Sequence, residues 1–391
     1  MQAAVYCDAA PAGVHVVTLP KPSLAVENWV PNAPFLAHMA YRLVFDVVLP
    51  VLRLLFPTKI PPPYGSNKTR SMLLLQVKAA AVNPVDAKFL YGDKFPAFLS
   101  LIKRFLERRV CGIDVAGVVI SADPSSPYVA GDELYGTVPP GLGSFASVVR
   151  VPSDFLYYKP LNLSFVEAAA VPLVGLTIAQ IFNDHGLKAG MRLCVLGASG
   201  GTGHVAVQLG RHLGLSVTAV CGESNAAFVK SLGASDVVPY DGAGAAGDVV
   251  DKLEALCNLK GKFDVVFDAV SSHDPRDHVA NYERRIRDRG LLAGTYVIVG
   301  GLKEDWIKAH VKRFLGVNLF EKGRSLHWVR FPNATPYLKQ LKEIIEAGGL
   351  KPTIGQVFPL TSKGVQGAFN NIMTRRSVGK IVIDITNTTD L

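Results

Sequence analysis

Four glycines fall within the seven residues Gly197-Ala198-Ser199-Gly200-Gly201-Thr202-Gly203. The apolar run Arg192 to Leu196 precedes them, and an amphipathic run from His204 to Gly214 follows. Strand, glycine turn and helix in immediate succession form a cradle for an anion. Gly200 and Gly201 have no Cβ to hold a ligand off, Gly203 lets the helix lie close to the strand, and the N–H groups of the helix N-terminus face whatever lies over the turn. A further apolar run, Leu215 to Cys221, completes a strand, helix, strand unit, so Ala198, Ser199, Gly200, Gly201, Thr202 and Gly203 are candidates to hold the pyrophosphate of a dinucleotide.

The same residues satisfy a second rule. Gly197-Ala198-Ser199-Gly200-Gly201 is also G-x-S-x-G, the nucleophile elbow of serine hydrolases, which likewise joins a strand to a helix. An elbow does not need Gly203, and it does need an acid and then a histidine downstream. Asp268 with His273 or His327 would have to serve, and no HGGG-like oxyanion loop lies upstream. The hydrolase is therefore the alternative and the dinucleotide the leading reading.

Cofactor choice falls to the end of the second strand, where NAD enzymes place an acid on the ribose hydroxyls. Val220-Cys221-Gly222 is not acidic, Glu223 comes late, and Ser224 offers a hydroxyl to a phosphate. NADPH is expected ahead of NADH.

These residues need elements to position them. In a chain of 391 residues with 49% hydrophobic composition there is material for two domains of ordinary size. Residues 1–160 read as short β-type runs broken by Gly and Pro, including 72–78, 114–120 and 145–151. From about 161 the rhythm changes to alternating strands and helices, with a helix through 168–182 and strands near 192, 215, 236, 263 and 291. Residues 311–391 add helices near 337–347 and 365–373 and a closing strand at 379–385. The fold class is α/β: a β-barrel-type domain at 1–160, a parallel-sheet domain at 161–310, and a C-terminal segment that returns to the first.

A family resemblance rests on ordered stretches along nearly the whole chain: Val82-Asn83-Pro84-Val85-Asp86, Cys111-Gly-Ile-Asp114-Val-Ala-Gly117, Gly131-Asp-Glu-Leu134, Ala168-Ala-Ala-Val-Pro172, Gly175-Leu-Thr177, the glycine turn, Leu232-Gly-Ala234, Phe267-Asp268 and Gly379-Lys380-Ile-Val-Ile383. The chain resembles zinc-free medium-chain dehydrogenases/reductases of the quinone-oxidoreductase branch. Lys262 to Val270 with His273-Asp274 is most similar to fungal members associated with lipid particles and mitochondria. The resemblance implies a GroES-like domain around an inserted Rossmann domain, and hydride transfer from NADP(H) to a quinone or an enone or enal.

It also implies roles. Asn83 orients nicotinamide or substrate, Tyr91 is the nearest hydroxyl able to act as donor where relatives carry a Tyr and this chain has Phe95, and Asp86 is structural. Thr177 meets the nicotinamide amide, and Tyr240 lines the adenosine phosphate pocket. Asn225 stands where relatives often have a Lys, and Lys380 lies on the cofactor. Zinc-dependent relatives have Cys near Asn83 and Gly-His-Glu where this chain has Gly112-Ile113-Asp114, so no metal is expected. The departures at Phe95 and Asn225 leave open a catalytically weak scaffold that binds NADPH and docks on lipid or protein.

Residues 35–56, drawn as a helix, gather His38, Arg42, Asp46 and Arg53 within about 80° of arc and leave a broad apolar face. Their charges and Pro50 argue against a membrane span. With the basic, apolar stretch 98–109 they suggest a peripheral contact with a membrane or lipid droplet, or else a lid. Five cysteines without C-x-x-C spacing signal neither a disulfide framework nor a zinc site. A net charge of +9 without interleaved aromatics describes a basic surface and no nucleic-acid module. Arg284 to Arg289 reads as a solvated helix face, and His273, Asp274, Asp277 and His278 as a polar loop. The N-terminus lacks a signal peptide, so the expected location is cytoplasmic, or peripheral on lipid droplets or the mitochondrial outer membrane; a homodimer is expected.

Overall fold

Alternation of buried and half-buried side chains from Met72 onward, ending in a fully buried run from Ala79 to Val82, makes β3 (Met72–Val82) the central strand of an antiparallel sheet. The computed structural model describes residues 1–6, 14–19, 71–91, 110–139, 142–241, 248–271, 281–331 and 334–386. The stretches 35–56 and 98–109, Phe95 and the loop with His273, Asp274, Asp277 and His278 lie outside the described residues. The chain divides into two units: Met1–Leu173 with Arg330–Glu346 and Pro352–Leu391, and Val174–Val329 with Ala347–Lys351.

In the first unit β1 (Gln2–Tyr6) and β2 (Val14–Thr18) form a hairpin-like pair. The larger sheet contains β3, β4 (Asp114–Ala122), β5 (Glu133–Thr137), β6 (Val148–Pro152), β7 (Leu156–Tyr158), β14 (Ile354–Pro359) and β15 (Lys380–Asp384). It runs β14-β15-β3-β4-β5-β7, with β6 paired to β3. Every pairing is antiparallel except β14 with β15. Leu75, Val77, Phe145, Phe155, Phe369 and Ile383 fill its core. The helices of this unit are α1 (Pro84–Tyr91), α2 (Phe165–Ala169), α9 (Thr335–Glu346) and α10 (Ser362–Met373).

The helix expected through 168–182 is two helices. Ser164 caps α2 with a reciprocal pair, its side chain accepting from the Glu167 amide while the Glu167 carboxylate accepts from the Ser164 amide at 2.9 Å. After the Ala170 cap, Pro172 starts α3 (Pro172–Asp184), because proline lacks the N–H that a continuing helix requires there and suits a first turn.

The second unit alternates β8 (Arg192–Leu196), α4 (Gly203–His212), β9 (Ser216–Cys221), α5 (Ala226–Ser231), β10 (Asp236–Pro239), α6 (Val249–Lys260), β11 (Phe263–Asp268), α7 (Tyr282–Asp288), β12 (Leu292–Ile298), α8 (Lys303–Leu315) and β13 (Arg324–Leu326). All its strand pairs are parallel. Their spatial order, β10-β9-β8-β11-β12-β13, is the doubly wound order 3-2-1-4-5-6, in which the sequence direction reverses between the first and fourth strands. Strands buried on both faces explain the unbroken burial of Arg192–Leu196. The unit boundaries fall at 173/174 and 329/330, with Ala347–Lys351 also in the second unit.

Candidate active site

The glycine turn leaves β8, the first strand of the doubly wound sheet. Gly197 has φ +75°, which only glycine adopts without strain, and its amide and that of Ala198 both donate to the Val220 carbonyl at 3.0 Å. That fastens the turn to β9. A Cβ on Gly203 would lie 2.2 Å from the Gly197 carbonyl oxygen and 2.7 Å from Ala198 Cα, so close strand-to-helix contact forbids any other residue there. The turn closes with Gly200 N–H to the Gly197 carbonyl at 3.1 Å and His204 N–H to the Gly200 carbonyl at 3.0 Å. Among the described residues the amides of Ser199, Gly201, Thr202 and Gly203 have no protein acceptor, and no side chain caps α4. A helix N-terminus with free donors at the end of a parallel strand suits a pyrophosphate. Ala198 is fully buried and its amide is committed to the Val220 carbonyl.

At the tip of β9 the chain enters a short turn, Glu223–Asn225, with the Asn225 amide on the Gly222 carbonyl at 2.9 Å. Ser224 is exposed and Asn225 half-buried. Tyr240, just past β10, donates its amide to Cys221 at 3.1 Å, and its hydroxyl would be 3.3 Å from a Cβ on Gly222. Asp241 follows and accepts from the Glu223 amide at 2.7 Å. Thr177 is buried in α3.

The hydrolase arrangement finds no support. Asp268 accepts from the amides of Val270 and Ser271 at 2.9 and 2.7 Å and from the Tyr296 hydroxyl at 3.0 Å. Burial raises its carboxyl above the usual range. His327 Nδ1 lies 3.9 Å from the Asp184 carboxylate, and the His204 ring is bonded to the Gly200 carbonyl at 3.0 Å. No described histidine is hydrogen-bonded to Ser199.

A second group of polar side chains is buried in the first unit, where the end of β3 and the starts of β4 and β15 lie side by side. Asn83 precedes α1 and Pro84 opens it; Asp86 reaches back, its carboxylate accepting the Asn83 amide at 2.8 Å. The Asn83 side chain points into the sheet. Its Nδ2 donates to Asp114 at 2.9 Å, and its Oδ1 accepts from the Lys380 ammonium at 2.6 Å. Lys380 also donates to Asp114 and to the Val82 carbonyl, each at 3.3 Å. The other Asp114 oxygen accepts from the Leu173 amide at 2.7 Å. Asn83, Asp86, Asp114 and Lys380 are 0–3% exposed. Burial drives the Asp86 carboxyl up to about 7, and also raises Asp114 against the pull of Lys380 and Asn83.

Asn83 was expected on nicotinamide or substrate, and Lys380 on the cofactor; both are buried with their polar ends engaged by protein. Tyr91 closes α1, and its side chain lies outside the described residues. Asp114 was passed over as a site residue, although a carboxylate opening the apolar run to Ile120 demands a buried cation or donors.

Residues 232–383 match the family model described as "Zinc-binding dehydrogenase". The chain is 29% identical over 366 residues to the mitochondrial NAD(P)H oxidoreductase RTN4IP1 of Homo sapiens, covering 84% of this chain and 89% of that protein. It is 31% identical over 319 residues to a 2-methylene-furan-3-one reductase of Solanum lycopersicum, covering 80% and 71%. Among solved structures, the quinone oxidoreductase of Coxiella burnetii aligns with a TM-score of 0.68 at 22% identity, covering 98% and 99%, which shows the shared GroES-like and Rossmann architecture. The zinc in the family model's name does not fit this donor set. At Asn83 and Asp114 an ammonium already sits 2.6 and 3.3 Å from the oxygens, and neither position offers a thiolate or imidazole.

Proposed function

We propose that this chain, which belongs to the medium-chain dehydrogenase/reductase family, is a nicotinamide-dependent oxidoreductase that reduces a quinone or an α,β-unsaturated carbonyl compound. The observation that carries the reading is the turn from β8 to α4, whose unsatisfied amides at Gly201, Thr202 and Gly203 lie at the end of the first strand of a 3-2-1-4-5-6 sheet. A reduced nicotinamide bound there would supply hydride to the electron-poor carbon or the quinone. The similarity to the tomato 2-methylene-furan-3-one reductase and the human NAD(P)H oxidoreductase supports the substrate and cofactor classes.

The chain's residues then divide the remaining work. Gly201, Thr202 and Gly203 hold the pyrophosphate through backbone donors, and Ser199 adds a hydroxyl beside them. Thr177 would hold the carboxamide of the nicotinamide. Tyr91 donates toward the oxyanion that develops on the substrate carbonyl. Asn83, Asp114 and Lys380 set the entry of α1, the helix that Tyr91 ends, so they act on the donor through the backbone.

In the test, the full-length protein is given NADH or NADPH with a panel of quinones, enones and enals, and loss of the near-ultraviolet absorbance of the reduced nicotinamide is followed. Substrate-dependent oxidation is expected. Cofactor binding without oxidation across the panel would replace the reading by the non-catalytic scaffold, and absence of binding would refute it. Among the described residues no helix is long and apolar enough to cross a membrane. Docking on anionic lipid through 35–56 and 98–109 belongs to the same proposal on composition alone. Flotation with liposomes that is unchanged on deleting 35–56 would remove it.

A further inference from the structure

The ribose end of the dinucleotide site holds two acids and no cation among the described residues. In a doubly wound sheet the adenosine ribose lies at the C-terminal end of the second strand, which here is β9. β10 pairs parallel to β9, with Pro239 opposite Cys221, and the Tyr240 amide on the Cys221 carbonyl carries the pairing one residue further. Asp241 is thereby placed beside the strand tip. Its carboxylate accepts the Glu223 amide at 2.7 Å, which fixes it across Gly222. A Cβ built on Gly222 would be 3.4 and 3.5 Å from the two carboxylate oxygens. The exposed Glu223 side chain stands next in the chain, some twenty residues past Gly203, the spacing at which NAD enzymes carry their ribose acid. No described Lys or Arg pairs with either acid, and Asn225 is neutral.

We infer that Asp241, seconded by Glu223, selects against a 2′-phosphate, so that this chain binds NADH more tightly than NADPH. A carboxylate accepts hydrogen bonds from the ribose hydroxyls of NADH. The 2′-phosphate of NADPH would set two further negative charges beside two carboxylates with no cation among the described residues to balance them. The inference rests on the proposed dinucleotide site and reverses the cofactor preference expected from the sequence, where Gly222 seemed to leave the strand end without an acid. The acid comes from the neighbouring strand.

The experiment measures dissociation constants for NADH and NADPH on the full-length protein by reduced-nicotinamide fluorescence, without substrate. Wild type, Asp241→Asn and Asp241→Asn with Asn225→Lys are compared at low and high salt. The asparagine retains an oxygen for the Glu223 amide, so the turn is preserved. NADH should bind about tenfold or more tightly than NADPH in wild type at low salt, the ratio shrinking with salt because the acids are exposed. Asp241→Asn should close most of that gap by strengthening NADPH, and the added lysine should reverse it. Equal or tighter binding of NADPH by wild type, or a ratio unmoved by Asp241→Asn, overturns the inference and leaves the oxidoreductase reading intact. Failure of both dinucleotides to bind overturns the two together.

Discussion

In the turn from Gly197 to Gly203 the protein leaves backbone donors without partners among the described residues, whereas around Lys380 it turns charged and polar side chains upon one another and upon nearby backbone. The first region is contiguous in sequence and built from residues with no side chain to speak of; its donors are oriented by β8 and α4 before any ligand arrives. The second is gathered from positions 83, 86, 114 and 380, and its groups are held at 0–3% exposure. The contrast separates two uses of polarity. Outward, free donors are suited to an anion, while inward, paired groups tie the start of a helix to the strands beside it.

The largest effect that can break this comparison is expected from Lys380→Met. Removing the ammonium strands the Asp114 carboxylate in the core, and breaking a buried pair from one side costs about 3–5 kcal/mol. Urea unfolding measures it, and a loss below about 1 kcal/mol would mean that the quartet is not an ion-paired unit. Gly203→Ala should come next, at about 1–3 kcal/mol, because the added methyl meets the Gly197 carbonyl and forces strand and helix apart. Unlike Lys380→Met, it should also weaken dinucleotide binding at least about tenfold. A calorimetric titration distinguishes the two variants.

The pH dependence of stability sharpens the same contrast. Asp86 holds its proton up to about 7 in the folded chain, against 3.8 for the ordinary side chain. The folded state therefore binds the extra proton across that window, so stability is greatest at its acid end and falls as pH rises, on the order of 1 kcal/mol per pH unit. Asp86→Asn should flatten that slope in urea melts taken across the window, and an unchanged slope would assign it elsewhere. Smallest is Tyr296→Phe, which removes one of three donors to Asp268 and should cost about 1 kcal/mol in thermal melts without altering cofactor affinity.

What the sequence disclosed follows the same division. Glycine spacing between an apolar strand and an amphipathic helix is local, and so the turn, β9 and the parallel sheet were legible. β14 was not, since Ile354–Pro359 is mostly exposed and lacks the alternation that marks a strand. Pro172 should have divided the helix expected through 168–182. The bond between Lys380 and Asn83 was not legible, because residue type and family stretch carry no information about which partners neighbouring strands bring within 3 Å. Asp241 escaped for a related reason: it reaches the tip of β9 only through strand pairing.

The central claim is that the chain passes hydride from a nicotinamide held at Gly201–Gly203 to a conjugated carbonyl. It is tested most directly by isotope transfer, using cofactor deuterated at the transferable ring position and an enone as acceptor, with the product read by mass spectrometry and NMR. The account predicts one deuterium on the β-carbon of the saturated product, delivered from a single face of the ring. Product carrying no label, or no product from any enone despite tight cofactor binding, would contradict it.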